Sequence, residues 1–75
     1  MKNWLVAYRI RYATKDGMIR DIIESDIVRN VPDDMLKRLY IMAFCEEKKK
    51  ELEAIEFLPG MKVDNVIVLA ITELE

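Results

Sequence analysis

Apolar and polar residues alternate along the first part of the chain, from Asn3 to Thr14. Every second position is apolar or aromatic, at Trp4, Val6, Tyr8, Ile10 and Tyr12. A period of two with aromatic and β-branched residues is typical of a strand with one buried face. The intervening positions include Arg9 and Arg11, so the pattern predicts a strand whose two faces differ in polarity.

A hairpin is predicted next, because Lys15-Asp16-Gly17 separates this strand from a second apolar run. Asp-Gly between two such runs favours a tight turn, since glycine adopts positive φ without strain. We predict the return strand from Met18 to Val28. Several charged residues lie among its isoleucines, as expected of an edge strand that must resist pairing with other chains.

A long helix is predicted from Pro32 or Asp33 to about Phe57. Proline suits the first turn of a helix, and the carboxylates of Asp33 and Asp34 favour the positive end of the helix dipole. Leu58-Pro59-Gly60 is expected to end the helix, because proline and glycine both interrupt it.

The last predicted element is a strand from Val66 to Ile71, which is apolar on both faces and therefore buried. The order is ββαβ, which predicts an α+β fold in one compact domain spanning residues 1–75. We expect a three-stranded, mainly antiparallel sheet in the order 2-1-3, since its two most apolar strands then share the centre. A parallel third strand beside the second, reached by a right-handed crossover, is the alternative. The helix is expected on the face that carries Trp4 and Tyr8.

Composition narrows the class of protein. The chain has 75 residues, of which 52% are hydrophobic and 35% charged, which excludes a disordered or low-complexity segment. Its net charge of −2 argues against a general nucleic-acid binder. No stretch approaches the ~20 apolar residues that a membrane span needs. The first residues lack the pattern of an export signal and Cys45 is the sole cysteine, so we expect a cytoplasmic protein.

The sequence offers little catalytic chemistry. It contains no histidine, no glycine-rich phosphate loop and no cysteine pair at metal-ligand spacing. Ser25 is the sole serine and has no histidine to activate it. Cys45 lies in an apolar helical stretch and is expected to be an inert packing residue. We therefore expect a protein that is not an enzyme and that requires neither a cofactor nor a metal.

Three arginines form a candidate polar contact face, namely Arg9, Arg11 and Arg20. A sheet that binds nucleic acid uses arginines together with stacking aromatics, but alternation places Tyr8 and Tyr12 on the opposite face. The arginines are instead expected to be solvated or to pair with Asp21 and Glu24 across the hairpin. Binding of nucleic acid or a small ligand, through this face or a pocket between subunits, is the alternative function.

The predicted helix has apolar residues on two sides. The first stripe consists of Met35, Leu36, Leu39, Met42 and Ala43. The second stripe, our candidate oligomer or partner interface, consists of Ile41, Phe44, Cys45, Leu52 and Ile55. Because one stripe suffices to cover a three-stranded sheet, we expect a homodimer or larger assembly through the helix, with the third strand as a further contact. A kinked helix that places both stripes on the sheet, or a foreign partner on the second stripe, are the alternatives.

The segment from Trp4 through the Asp16-Gly17 turn, together with Leu58-Pro59-Gly60 and Val66 to Ile71, resembles small ββαβ proteins encoded by phages and prophages. Those proteins share an aromatic first strand, a hairpin of this type, a charged helix and a short final strand. The resemblance implies an accessory protein that binds a host or phage macromolecule and inhibits or redirects it. It assigns no functional residue to any position.

Overall fold

The computed structural model describes residues 1–54 and 60–74. Within these ranges the elements are β1 (Lys2–Ala13), β2 (Ile19–Val31), α1 (Lys37–Ala54) and β3 (Lys62–Leu74). The predicted ββαβ order and the α+β class are confirmed.

The three strands form one sheet in the order β2-β1-β3. Both neighbours of β1 run antiparallel to it, so the predicted strand order is confirmed and a parallel third strand is excluded. The turn between β1 and β2 has Gly17 at a φ of 81°, a conformation that glycine adopts without strain. The backbone N–H of Thr14 donates to the carbonyl of Met18 at 2.8 Å and closes the hairpin.

The alternation along β1 divides the sheet into two faces, as predicted. Four side chains of β1 are buried on the face covered by the helix, at Trp4, Val6, Tyr8 and Ile10. We call this side the covered face. Tyr12, the fifth residue of the predicted set, is half-buried. The covered face therefore holds the core of the molecule.

The helix begins later than the sequence predicted. Pro32, Asp33 and Asp34 precede it in a turn, in which the N–H of Met35 donates to the carbonyl of Pro32 at 3.0 Å. The carboxylate of Asp33 was expected at the N-terminus of the helix. It instead lies 3.4 Å from the N-terminal amine of the chain. The predicted helix end near Phe57 lies outside the described residues, as do the first two residues of Leu58-Pro59-Gly60.

Strand β2 continues past its predicted end because of a bulge. Trp4 pairs with Val28 but Lys2 pairs with Val31, so one residue of β1 faces two of β2. Asn30, one of these two, has a φ of 60°. The extra residue changes the alternation and turns Val31 toward the core, where it is 3% exposed.

Strand β3 contains two further bulges. Its pairing with β1 shifts between Ala70 and Val68, and again between Asn65 and Val63. Each shift inserts one residue, Leu69 in the first case, and brings a new set of side chains to the covered face. That set is Val63, Val66, Val68 and Ile71, all of which belong to or pack against the core. Strict alternation along β3 would place Ile71 on the opposite side of the sheet from Val66 and Val68, and the bulge at Leu69 reverses this.

The molecule is more elongated than the compact domain expected from the sequence. Its principal extents are 44 × 19 × 17 Å, because the strands of the sheet are 12 or 13 residues long. The helix lies closest to β3, which leaves β2 as the less covered edge of the sheet. No helix in the described ranges is both long and apolar enough to cross a membrane.

Candidate interaction surface

The side of the sheet away from the helix carries an apolar surface that no described element covers. We call this side the open face, and its register is set by pairing with the odd-numbered residues of β1. Its apolar members are Leu5, Ala7, Ala13, Ile19, Ile23, Ile27, Ile67, Ala70 and Leu74. The four isoleucines are between 42% and 68% exposed, and Ile23 is the most exposed of them. Exposed isoleucines grouped in this way are a feature of contact surfaces.

A polar row crosses the open face beside these isoleucines. Arg11 of β1 donates from Nε to Oδ1 of Asp21 at 2.9 Å and from Nη2 to Oδ2 at 3.3 Å. This two-pronged bond lowers the pKa of Asp21 and raises the pKa of Arg11. The predicted pairing of an arginine with Asp21 across the hairpin is therefore confirmed.

Arg9 occupies the middle of the open face. In the register of the sheet it stands between Ile23 of β2 and Ile67 of β3. Its Nε is buried and makes no hydrogen bond to any of the described residues. The aliphatic part of Arg9 thus joins the apolar surface instead of forming a strongly basic patch.

The candidate polar contact face is divided between the two sides of the sheet. Arg20 pairs with Tyr12, whereas Arg9 and Arg11 lie on the open face. Glu24 pairs with Tyr8, so it lies on the opposite side of the sheet from Arg9 and Arg11. The expected strip of three arginines is wrong, because strict alternation along β2 separates residue 20 from the positions that face Arg9 and Arg11.

The candidate interface on the helix is directed toward the sheet. Leu52 is 6% exposed and belongs to the core, while Phe44 and Cys45 are partly buried against it. Ile41 is half-buried, and Ile55 lies outside the described residues. The assignment of the two helix stripes is thus reversed, because the stripe with the aromatic residue provides the better cover for Trp4 and Tyr8.

Aromatic contacts explain this orientation. The rings of Trp4 and Tyr40 meet edge to face, with centroids 5.1 Å apart and planes at 88°. Tyr8 meets Phe44 in the same manner at 5.2 Å. Such pairs contribute about 1 kcal/mol each beyond the area they bury. Tyr40 was not assigned to either stripe from the sequence, although its position four residues before Phe44 places both on one side of a helix.

The other helix stripe is exposed. Leu39 and Met42 of α1 are 54% and 65% exposed, and Leu36 immediately before the helix is similarly open. Beyond Ala43 this side of the helix is charged, beginning with Glu46. This stripe is a second apolar surface, but it extends over only two turns of the helix.

A part-buried polar cluster fixes the helix to strand β2. Lys48 of α1 forms an ion pair with Asp26 of β2 at 2.9 Å, and the hydroxyl of Tyr8 donates to the same carboxylate at 3.3 Å. The ammonium also lies 5.5 Å from the centroid of the Tyr8 ring. The cluster ties α1, β1 and β2 together at one point.

The chemistry of this cluster is structural. Burial raises the pKa of Tyr8, and the charge of Asp26 raises it further. Burial alone would lower the pKa of Lys48, but the hydrogen bond to Asp26 together with the charges of Tyr8, Asp26 and Glu51 outweighs burial, and the pKa is raised. A general base needs a lowered tyrosine pKa and a nucleophile needs a lowered lysine pKa, so neither group is activated for these two roles at neutral pH.

No metal site is formed within residues 1–54 and 60–74, where no three acidic or cysteine side chains come close enough to share an ion.

Comparison with known proteins identifies no relative: no family model matches the chain, and neither a curated protein nor a solved structure is significantly similar to it. The resemblance to phage-encoded ββαβ proteins therefore stays a prediction.

Proposed function

We propose that this protein is a small interaction module that acts by contact with a macromolecular partner, and that the open face is its contact surface. The observation that carries the proposal is the group of exposed isoleucines on a sheet face that no described element covers. Burying such side chains would contribute roughly 25 cal/mol for each Å² of apolar surface removed from water.

The total surface of the molecule supports this proposal. The chain has a mass of 8.8 kDa and an accessible surface of 5453 Å². A monomeric protein of this mass exposes about 4,800 Å², so the surplus is roughly 650 Å². A partner in a standard-size interface buries about 800 Å². The surplus is therefore comparable to the area that one contact would cover.

The shape of the molecule supports the same proposal. The radius of gyration is 13.7 Å, whereas a compact chain of 75 residues has about 11 Å. An elongated sheet with one bare side has a high ratio of surface to volume and a small core. Association is one of the few ways in which so small a domain gains stability, since its single cysteine cannot form a disulfide within the chain.

The alternative of nucleic-acid binding is less well supported by the geometry. Asp21 neutralises Arg11 on the open face, and Arg20 lies on the other side of the sheet. The covered face meanwhile takes up Trp4 and Tyr8, the aromatic rings that would stack on bases.

We further propose that the module acts in the cytoplasm as an accessory protein of the phage type, in keeping with its single cysteine.

The test is affinity capture from a lysate of the source cells with three matched proteins: wild type, Ile67→Asp on the open face, and Leu39→Asp on the exposed helix stripe. We expect wild type and Leu39→Asp to retain the same partner, and Ile67→Asp to lose it while its circular dichroism remains native. Capture should change little with added salt, because an apolar contact is not screened.

Two results would count against the proposal. Equal capture by all three proteins would show that the open face is not the contact surface. Retention of nucleic acid that falls steeply with salt would favour the alternative function instead.

A further inference from the structure

We propose that a second copy of this chain pairs with the free edge of β2, in an antiparallel register with its two-fold axis at Ile23, to form a continuous six-stranded sheet. This inference rests on the proposed function, because the isoleucines of β2 belong to the open face and the pairing would extend that contact surface across two chains. It replaces the helix as the expected site of self-association.

The two edges of the sheet differ in their fitness for pairing. Strand β3 has two bulges along its length, and bulges are a common means of preventing a strand edge from pairing with other chains. Strand β2 pairs with β1 residue for residue from Ile19 to Val28, without a bulge. That stretch contains neither proline nor glycine. β2 therefore offers a long, regular row of backbone donors and acceptors.

The β2 edge is also accessible. The helix lies closest to β3, and its link to β2 is made by the side chains of Lys48 and Asp26. No described strand lies on the outer side of β2. A second copy related by a two-fold axis perpendicular to the sheet would carry its own helix on the same face of the sheet. That helix would lie toward β3 of the second copy, away from the new junction.

The sequence of β2 complements itself about Ile23 on the open face. In an antiparallel pair centred there, Ile23 meets Ile23 of the second copy and Ile19 meets Ile27. All three open-face isoleucines of β2 would thus face isoleucines across the new junction. Directly opposite β-branched residues are a stabilising cross-strand pair.

The other side of the strand is complementary in charge. The same register places Arg20 opposite Asp26 of the second copy, and by symmetry this pair occurs twice. Asp26 holds Lys48 in its own chain, yet its side chain is still 39% exposed and can accept a further hydrogen bond. At the ends of the overlap, Met18 meets Val28. Of the charged residues of this stretch, Arg20 and Asp26 therefore match one another, whereas Glu24 lies opposite Ile22 and Asp21 opposite Ser25.

Neighbouring registers lose this match. A two-fold axis perpendicular to the sheet allows shifts of two residues in the pairing. Centring the pair on Glu24 would place that carboxylate opposite itself and Ile23 opposite Ser25. Centring it on Ile22 would place Arg20 opposite Glu24, but it would place Ile23 opposite Asp21 and Ile19 opposite Ser25 on the open face. Of these registers, the one centred on Ile23 pairs the open-face isoleucines with one another and also keeps a charge pair.

The experiment is register-specific cysteine crosslinking in a Cys45→Ala background. Directly opposite residues of an antiparallel pair have Cα atoms about 4.5–5.5 Å apart, within the range that a disulfide spans. Ile23→Cys should therefore form a covalent dimer of twice the chain mass under mild oxidation. Ile67→Cys, which adds an exposed thiol on the same face but on β3, is the matched control and should remain monomeric on a denaturing gel.

Mixed samples test the register independently. Ile19→Cys alone should not crosslink, because its symmetry mate lies roughly 27 Å away along the strand. Mixed with Ile27→Cys, it should give the covalent heterodimer.

The charge pairs give a further test. In the wild-type background Arg20→Glu should raise the dissociation constant of the dimer by roughly tenfold, since it turns both charge pairs repulsive. Arg29→Glu, the same charge change outside the overlap, should leave it unchanged.

A wild-type chain that sediments as a monomer at high micromolar concentration would overturn the inference. So would a dimer in which Ile67→Cys crosslinks and Ile23→Cys does not. Neither result touches the proposed function, which fails separately if Ile67→Asp captures the same partner as wild type.

Discussion

Single side chains decide how the helix is attached to the sheet. Alternation of residues along β1 correctly predicts that Trp4 and Tyr8 lie under the helix, because period two assigns each side chain of a regular strand to one face. The sequence does not reveal that Lys48 reaches Asp26, since the two are distant in the chain and both residue types are common on surfaces. Their pairing depends on where the helix crosses the sheet.

Stability at alkaline pH should depend on this cluster. Burial raises the pKa values of Tyr8 and Tyr40. The pKa of Lys48 is raised as well, because the effect of burial is outweighed by the hydrogen bond to Asp26 together with the charges of Tyr8, Asp26 and Glu51. All three groups hold their protons more tightly in the folded state, so the unfolded state releases them first. The free energy of unfolding is therefore expected to fall as the pH rises above about 10.

Urea denaturation followed by circular dichroism, from about pH 8 to about pH 11, would measure this fall. In the Tyr8→Phe/Tyr40→Phe variant the free energy of unfolding should fall less steeply with pH. The fall that remains should come from Lys48. A free energy of unfolding that rises between these limits would show that the sign of the coupling is wrong.

The bulge in β2 can be tested at one residue. Asn30 has a φ of 60°, which costs most residues about 1 kcal/mol or more but is tolerated by asparagine and is free of strain in glycine. We therefore expect Asn30→Ala to lower the free energy of unfolding by about 1 kcal/mol and Asn30→Gly to leave it within about 0.5 kcal/mol of wild type. Equal losses in the two variants, measured by urea denaturation, would mean that the side chain matters and the backbone conformation does not.

At the level of elements, the existence and order of all four could be predicted from sequence, and so could the strand order. Their side-chain orientations could be predicted only where the alternation is unbroken. β3 has an extra residue at Leu69 and another between Asn65 and Val63, so a strict period of two gives the wrong faces. The predicted helix presented two apolar stripes of five residues each. The choice between them depends on ring contacts such as Trp4 with Tyr40, which a periodicity does not encode.

The reversal of the helix stripes leads to a paired prediction. Leu52→Glu places a carboxylate in the core and should cost about 3 kcal/mol or more, which is comparable to the whole stability of a domain this small. Leu39→Glu, on the exposed stripe, should change the free energy of unfolding by no more than about 0.5 kcal/mol. Thermal unfolding of the two variants side by side distinguishes them. A native Leu52→Glu protein beside an unfolded Leu39→Glu protein would restore the original assignment.

At the scale of the whole molecule, one physical fact underlies both proposals. A single helix covers one side of a long three-stranded sheet and leaves the other side, together with the β2 edge, without a described cover. The sequence predicts that such a chain has surplus apolar surface, since its helix carries a second apolar stripe and its third strand is apolar on both faces. It could not locate that surplus, because the location depends on which helix stripe faces the sheet and on the bulges of β3.

The most direct test of this account is amide hydrogen exchange of the wild-type protein at two concentrations, about 5 µM and about 500 µM. Pairing at the sheet edge would protect the outward-pointing amides of β2 between Ile19 and Val28 at the higher concentration. The amides of β3 and those near Leu39 in the helix should exchange at the same rate in both samples. Concentration-dependent protection confined to β3 or to the helix, with β2 unchanged, would contradict the account.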